Sequence, residues 1–111
     1  MVVDTGIFID FLRAKDKSKT QLYDLSNETK IFISSVTLFE LYIGATTDQK
    51  WVDVKKLTEN IPVLSFTKSI LEKSAMIYQQ LKKENKLIEF RDIFIAATAI
   101  IHDLSVLTKN K

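Results

Sequence analysis

Asp4, Glu40 and Asp92 are the residues of this 111-residue sequence most readily turned to chemistry, with Thr108 and Asn110 alongside. Asp4 follows the short apolar run Met1–Val3. Glu40 is set among large apolar groups in Leu38-Phe39-Glu40-Leu41-Tyr42, and Asp92 opens a long apolar segment. Carboxylates gathered at one place repel and raise one another's pKa unless a cation sits between them. Oxygen donors with no His or Cys select hard ions, Mg²⁺ or Mn²⁺, which keep several waters and bind phosphates. Beside lysines, such a cluster points to phosphodiester hydrolysis, with a metal-bound water as nucleophile and the ion offsetting charge on the phosphate.

The composition closes other routes. Cysteine is absent, which excludes disulfide scaffolds, thiolate metal sites and cysteine nucleophiles. With one histidine, His102, a multi-histidine zinc site is not expected, and no serine–histidine arrangement offers a nucleophilic route. Two glycines, Gly6 and Gly44, cannot supply GxGxxG or a P-loop. Sixteen basic against 14 acidic residues give a net charge of +2, only a weak lean toward polyanions. No apolar run is long enough to span a bilayer, and Asp4 breaks any signal-like start, so a cytoplasmic protein without membrane association is expected. Pro62 is the single proline and no Gly/Ser linker occurs, which makes residues 1–111 one domain.

The elements that must position these acids follow from periodicity. Met1–Val3, Ile31–Ile33, Pro62–Leu64 and Ser105–Leu107 are short apolar runs expected as buried strands. Helical patterns cover Ile7–Leu12, Thr20–Glu28 (with Leu22, Tyr23 and Leu25 inward), Val36–Ala45, Trp51 to Ile61, Thr67–Glu84 and Arg91–His102. The last is apolar nearly all round and is expected to be buried on most of its circumference. Strands alternating with helices predict an α/β domain with a largely parallel sheet. Ligands of such sheets bind outside the carboxyl ends of the strands, where Asp4, Glu40, Asp92, Thr108 and Asn110 can converge.

Each of the five also has a purely structural reading. Asp4 and Asp92 suit a helix N-terminus, and Thr108 and Asn110 suit a turn. Thr37-x-x-Glu40 fits a capping box. That box would start the helix at Thr37 and leave Ser34/Ser35 unused; otherwise Glu40 is a mid-helix acid among apolar groups, needing a partner or a metal.

Val2-Val3-Asp4-Thr5, Ser35-x₄-Glu40-Leu41, the run Arg91-Asp92-Ile93-Phe94-Ile95-Ala96-Ala97-Thr98-Ala99-Ile100, and Val106-Leu107-Thr108-Lys109-Asn110 together resemble a PIN domain over essentially the whole chain. The compact form, with its first aspartate almost at the N-terminus, is similar to VapC-type toxins of prokaryotic toxin–antitoxin pairs. The resemblance implies a three-layer α/β/α domain with a central parallel sheet flanked by helices. It implies a Mg²⁺- or Mn²⁺-dependent endoribonuclease, a cognate VapB-like antitoxin and a homodimer. Asp4, Glu40 and Asp92 take the positions of the family's three core acids, and Asn110 falls near the fourth. Thr5 and Thr108 match hydroxyl residues that line the site. Ser35 and Arg91 belong to the matching blocks and are expected to contact substrate or support the acids. Two features depart from the pattern. Gly6 stands where Asn or Ser is usual, and the family pattern continues past Lys111 through a short motif and a final strand.

Several residues carry two readings. Glu89 is a surface acid or a neighbour of the metal site, and His102 a partner of a helix C-terminus or a packing residue. Arg13, Lys15, Lys17 and Lys19 form a solvated loop or meet RNA phosphates. Arg91, Lys109 and Lys111 are expected to rim the acidic end of the sheet, although Arg91 could pair with a carboxylate. Trp51, Tyr78 and Phe90 are read as core or subunit contacts rather than base-stacking platforms. The expected function is RNA phosphodiester hydrolysis; the alternative is a PIN-fold RNA-binding module without nuclease activity. A receiver-like phosphoacceptor fails on spacing, since Leu64-Ser65-Phe66 stands where the acceptor aspartate belongs.

Overall fold

A strand of two residues, β1 (Val2–Val3), sits at the centre of the protein with both side chains fully buried, one on each face of the sheet. Successive side chains of a strand point to opposite faces, so a pair of valines suits a strand covered on both sides. The structure, a computed structural model, describes residues 1–25 and 28–109. β1 pairs in parallel with β4 (Val106–Leu107), Val2 opposite Val106 and Val3 opposite Leu107. β2 (Ile33–Ser34) pairs in parallel with β3 (Val63–Leu64). A parallel bridge between Val2 and Phe32 joins the two pairs, with the Phe32 N–H donating to Met1 O at 2.9 Å and the Val3 N–H to Phe32 O at 3.1 Å. The strand order is therefore β3-β2-β1-β4, all parallel.

Helices α1 (Thr5–Arg13), α2 (Gln21–Asp24), α3 (Ser35–Ile43), α4 (Asp48–Thr58), α5 (Lys68–Lys83) and α6 (Phe90–Ile101) connect and cover the strands. On one face, Val3 and Ile33 pack with Ile7 and Phe8 of α1, Leu41 of α3 and Val54 of α4. On the other, Val2 meets Ile95 and Ala99 of α6, with Leu64, Leu104 and Val106 around them. α5 lies along α6. This is the three-layer α/β/α arrangement expected from the sequence.

Local chemistry fixes the helix ends. Asp4, Thr20, Ser34, Thr47 and Thr67 each accept a backbone N–H at a helix start. Asn85 and Asp103, following α5 and α6, take the left-handed conformation that glycine often supplies, in a chain with almost no glycine. α1 begins at Thr5 rather than Ile7, because the Asp4 cap recruits Thr5 and Gly6 into the first turn. α2 is shorter than the expected Thr20–Glu28; Ser26 and Asn27 lie outside the described residues, and Tyr23 points to solvent rather than inward. α6 buries Ile93, Ile95, Ala97, Thr98 and Ala99 but exposes Ile100 and Ile101, since the sheet and α5 leave a third side uncovered. Among the described residues, no helix is long and apolar enough to cross a membrane.

Phe8 is the largest fully buried side chain and touches the main core, whereas Leu87 is wholly exposed. Phe8→Ala is expected to lower unfolding stability by about 4 kcal/mol, from lost transfer energy and the cavity left behind. Leu87→Ala should change it by less than about 0.5 kcal/mol. Urea unfolding of both variants checks the contrast.

Candidate active site

Because all four strands run the same way, their carboxyl ends share one side, and the first residues of α1 and α3 emerge there. Asp4 leaves β1 with its N–H donating to Leu107 O at 2.9 Å, which ties it to the end of β4. Its Oδ1 accepts the Thr5 N–H at 2.7 Å. The structural and chemical readings of Asp4 thus coincide: one oxygen caps α1, and the other has no hydrogen-bond partner among the described residues.

Glu40 is held from two sides. Ser34, not Thr37, caps α3, accepting the Thr37 N–H at 3.1 Å, so the capping box does not form and Glu40 is a mid-helix acid. Its Oε1 accepts from Thr5 Oγ1 at 3.2 Å, and its Oε2 from Arg91 Nη1 at 3.0 Å. Thr5 Oγ1 lies 3.0 Å from Thr37 Oγ1, which lies 3.1 Å from Ser34 Oγ. Each hydroxyl has one proton, so their order is fixed once Thr5 donates to Glu40. Thr37 then donates to Thr5, and Ser34 to Thr37. Thr5, Ser34 and Thr37 are all buried.

Asp92 lies in the first turn of α6, half-exposed, where the positive end of the helix favours it. Arg91 binds the acids together. Its Nη2 donates to Glu89 Oε2 at 3.2 Å, and its Nε lies 3.8 Å from Asp92 Oδ1. Glu89 therefore turns to Arg91 and makes no side-chain cap on α6. Arg91 Nε is buried without a hydrogen-bond partner among the described residues.

The electrostatics follow. Burial pushes the Asp4 carboxyl above its ordinary value; the Thr5 N–H opposes this, Asp92 adds to it, Arg91 opposes and Glu40 adds. The Arg91 guanidinium is held still more firmly protonated, chiefly by its hydrogen bond to Glu40, against a cost from burial. Among the described residues, no three acids converge closely enough to close a metal cage unaided. Their donor chemistry nonetheless fits a hard divalent ion. All ligands are oxygen, the local charge is negative beyond what Arg91 offsets, and Asp4 keeps a free oxygen.

The remaining expected residues are distributed around this centre. Ser35 opens α3, and its hydroxyl makes no hydrogen bond among the described residues; Ser34 and Thr37 supply the hydroxyls behind Glu40 instead. Thr108 follows β4 and is exposed. Asn110 and Lys111 lie outside the described residues. Lys109 pairs with Asp10 at 3.1 Å. A side chain at Gly6 would meet Lys109 at ordinary contact distance, so packing does not require glycine there. Lys17 donates to the carbonyls of Phe11, Leu12 and Ala14, closing the end of α1 rather than facing outward for phosphate. Trp51, Tyr78 and Phe90 are exposed, not core: Trp51 rests on Tyr42, and Tyr78, Phe90 and Phe94 form a row of ring contacts. Thr37 was legible in the sequence only as one end of a capping box, and its spacing carried no signal of a role behind Glu40.

A short four-stranded parallel sheet, with acids at its carboxyl end and helices on both faces, defines a class of domain that family comparison names. The PIN domain profile matches residues 1–111, and the chain belongs to that family. It is 32% identical over 111 residues to Ribonuclease VapC1 of Methanocaldococcus jannaschii, covering all of this chain and 76% of that protein. Among solved structures, a toxin-antitoxin complex from Klebsiella pneumoniae aligns with TM-score 0.79 and 25% identity, over 98% of this chain and 85% of the other. VapBC2 from Rickettsia felis, bound to a DNA fragment from its promoter, aligns with TM-score 0.84 over 98% of this chain and 86% of the other; at 20% identity that likeness concerns the fold.

The raised Asp4 pKa has a definite sign in stability. A folded chain that binds this proton more readily than the unfolded chain loses stability as pH rises through the folded pKa. Asn caps helices as well as Asp does. Asp4→Asn, without divalent ions, is therefore expected to be more stable than the wild type at pH 7, with the gap narrowing as pH falls toward the ordinary aspartate value of 3.8. Denaturant titrations of both proteins across that range measure it.

Proposed function

We propose that this protein is a Mg²⁺- or Mn²⁺-dependent endoribonuclease, the toxin of a VapBC-type pair. The observation that carries the reading is the gathering of Asp4, Glu40 and the first turn of α6 around Arg91 at the carboxyl end of the sheet. The likeness to a ribonuclease named VapC1 supports the reaction class. Likeness to a toxin-antitoxin complex supports a VapB-like antitoxin as partner. A homodimer acting in the cytoplasm on RNA completes the proposal.

Asp4, Glu40 and Asp92 are the residues that would hold the divalent ion, which supplies an activated water and charge neutralisation at the scissile phosphate when bound. The chain's own groups prepare for this. Thr5 Oγ1 fixes the rotamer of Glu40 through Oε1, and the buried hydroxyls of Thr37 and Ser34 fix Thr5. The Thr5 N–H holds Asp4 through Oδ1 and leaves Oδ2 free. Thr108 and Asn110, after β4, are placed in sequence to contact the substrate or a water.

A second reading, an RNA-binding PIN module without nuclease activity, draws on the absence of a closed three-acid cage among the described residues. Divalent-ion dependence separates the two. The nuclease should cut single-stranded RNA with Mn²⁺ or Mg²⁺ and stop on chelation. Asp4→Asn and Asp92→Asn should each lower kcat/KM about a hundredfold or more. Equal cleavage by all three proteins would remove the assignment; RNA binding that never leads to cutting, with or without Mg²⁺, would establish the module.

A further inference from the structure

Arg91 is more than a rim charge. Its guanidinium spans Glu40 and Glu89 with hydrogen bonds and approaches Asp92, so one cation holds two of the three acids proposed to bind metal. We infer that Arg91 is a resident counter-ion that competes with the divalent ion: it steadies Glu40 and Asp92 in the metal-free protein, and Glu40 must leave it for the site to load. The inference rests on the metal-dependent reading above and concerns how that same site is controlled.

Three observations carry it. Both oxygens of Glu40 are engaged, Oε1 by Thr5 and Oε2 by Arg91. The Thr5 hydroxyl can remain, since a carboxylate oxygen accepts more than one partner. The Arg91 guanidinium sits 3.0 Å from Oε2, so a divalent cation bound to the same carboxylate would meet a like charge there, and the two cations compete for Glu40. Second, the guanidinium is incompletely satisfied, with Nε buried and Asp92 Oδ1 too distant at 3.8 Å to bond it. A purely structural bridge would be expected to use all its donors. Third, Arg91 stands on α6 and Glu40 on α3, so their contact joins two separate elements and can open by a change in either side chain while Asp92 stays in the first turn of α6.

A structural bridge and a competing counter-ion predict opposite effects on metal affinity. Removing a bridge loosens the acids and weakens binding, whereas removing a competitor raises the fraction of protein ready to bind. In the EDTA-stripped full chain, Arg91→Gln is expected to tighten Mn²⁺ binding by calorimetry roughly tenfold, as when a dominant closed state is abolished. Arg91→Lys keeps the charge but not the planar fork, and should tighten it about threefold. A measurement on the wild type needs no variant. The chain has two arginines, Arg13 and Arg91, so the Arg91 Nε–H signal in an NMR spectrum is readily assigned. On Mg²⁺ titration that signal should shift, and its exchange with water should accelerate.

Tighter Mn²⁺ binding by either variant, with a moving Nε–H signal, supports the inference. Mn²⁺ binding by the wild type that neither variant tightens, or an Nε–H signal unchanged at Mg²⁺ saturation, overturns it and leaves the nuclease reading standing. No Mn²⁺ binding by any of the three proteins overturns both.

Discussion

Parallel pairing on both sides of β1 is the constraint on which the rest depends. With β2 and β4 running in the same direction as β1, every strand end falls on one side, and α1 and α3 start there. Two acids of the candidate site sit at helix starts: Asp4 at the turn into α1, and Asp92 in the first turn of α6. The partial positive charge at helix N-termini makes that accumulation of carboxylates tolerable. An antiparallel sheet of the same residues would scatter the strand ends over two sides and divide the acids.

Tolerance is not neutrality. Burial and neighbouring acids still raise the Asp4 pKa, and Arg91 is the main cation among them. The buried Ser34–Thr37–Thr5 hydroxyl sequence carries no charge, yet it decides where the Glu40 carboxylate points. Orientation by hydroxyls and neutralisation by one guanidinium are separate tasks here. The first lies in the packed interior, and the second on a partly exposed side chain.

The fold was largely legible in the sequence because its signals are local. Short apolar runs, each with one or two β-branched residues, alternate with helical periods, and Thr67 and Glu84 bound α5 as expected. The acids were legible for a related reason: Asp4 and Asp92 sit at element boundaries, and Glu40 breaks an apolar helix. Partners in space were harder. Thr37 lies three residues from Glu40, which in sequence resembles a cap, and only the position of Ser34 reassigns it. The exposure of Tyr23, Trp51 and Phe90 was hidden as well, because hydrophobicity alone does not reveal that Trp51 rests on Tyr42, and Phe90 on Tyr78 and Phe94, at the surface. Arg91 belongs between these cases: pairing with an acid was foreseeable, but its reach to Glu40, 51 positions away, was not.

The two-residue central strand has a consequence for how the protein is made. β1 pairs with β4 across about a hundred residues of chain, and Asp4 is anchored through Leu107 O. A nascent chain that lacks residues 105–107 cannot close the sheet around Val2 or hold Asp4 in place. The sequence separation of that contact also slows the search for the native pairing relative to a helical hairpin. Assembly of the acidic centre is thus deferred until residues 105–107 have left the ribosome, and a translation product interrupted before them would lack an ordered site.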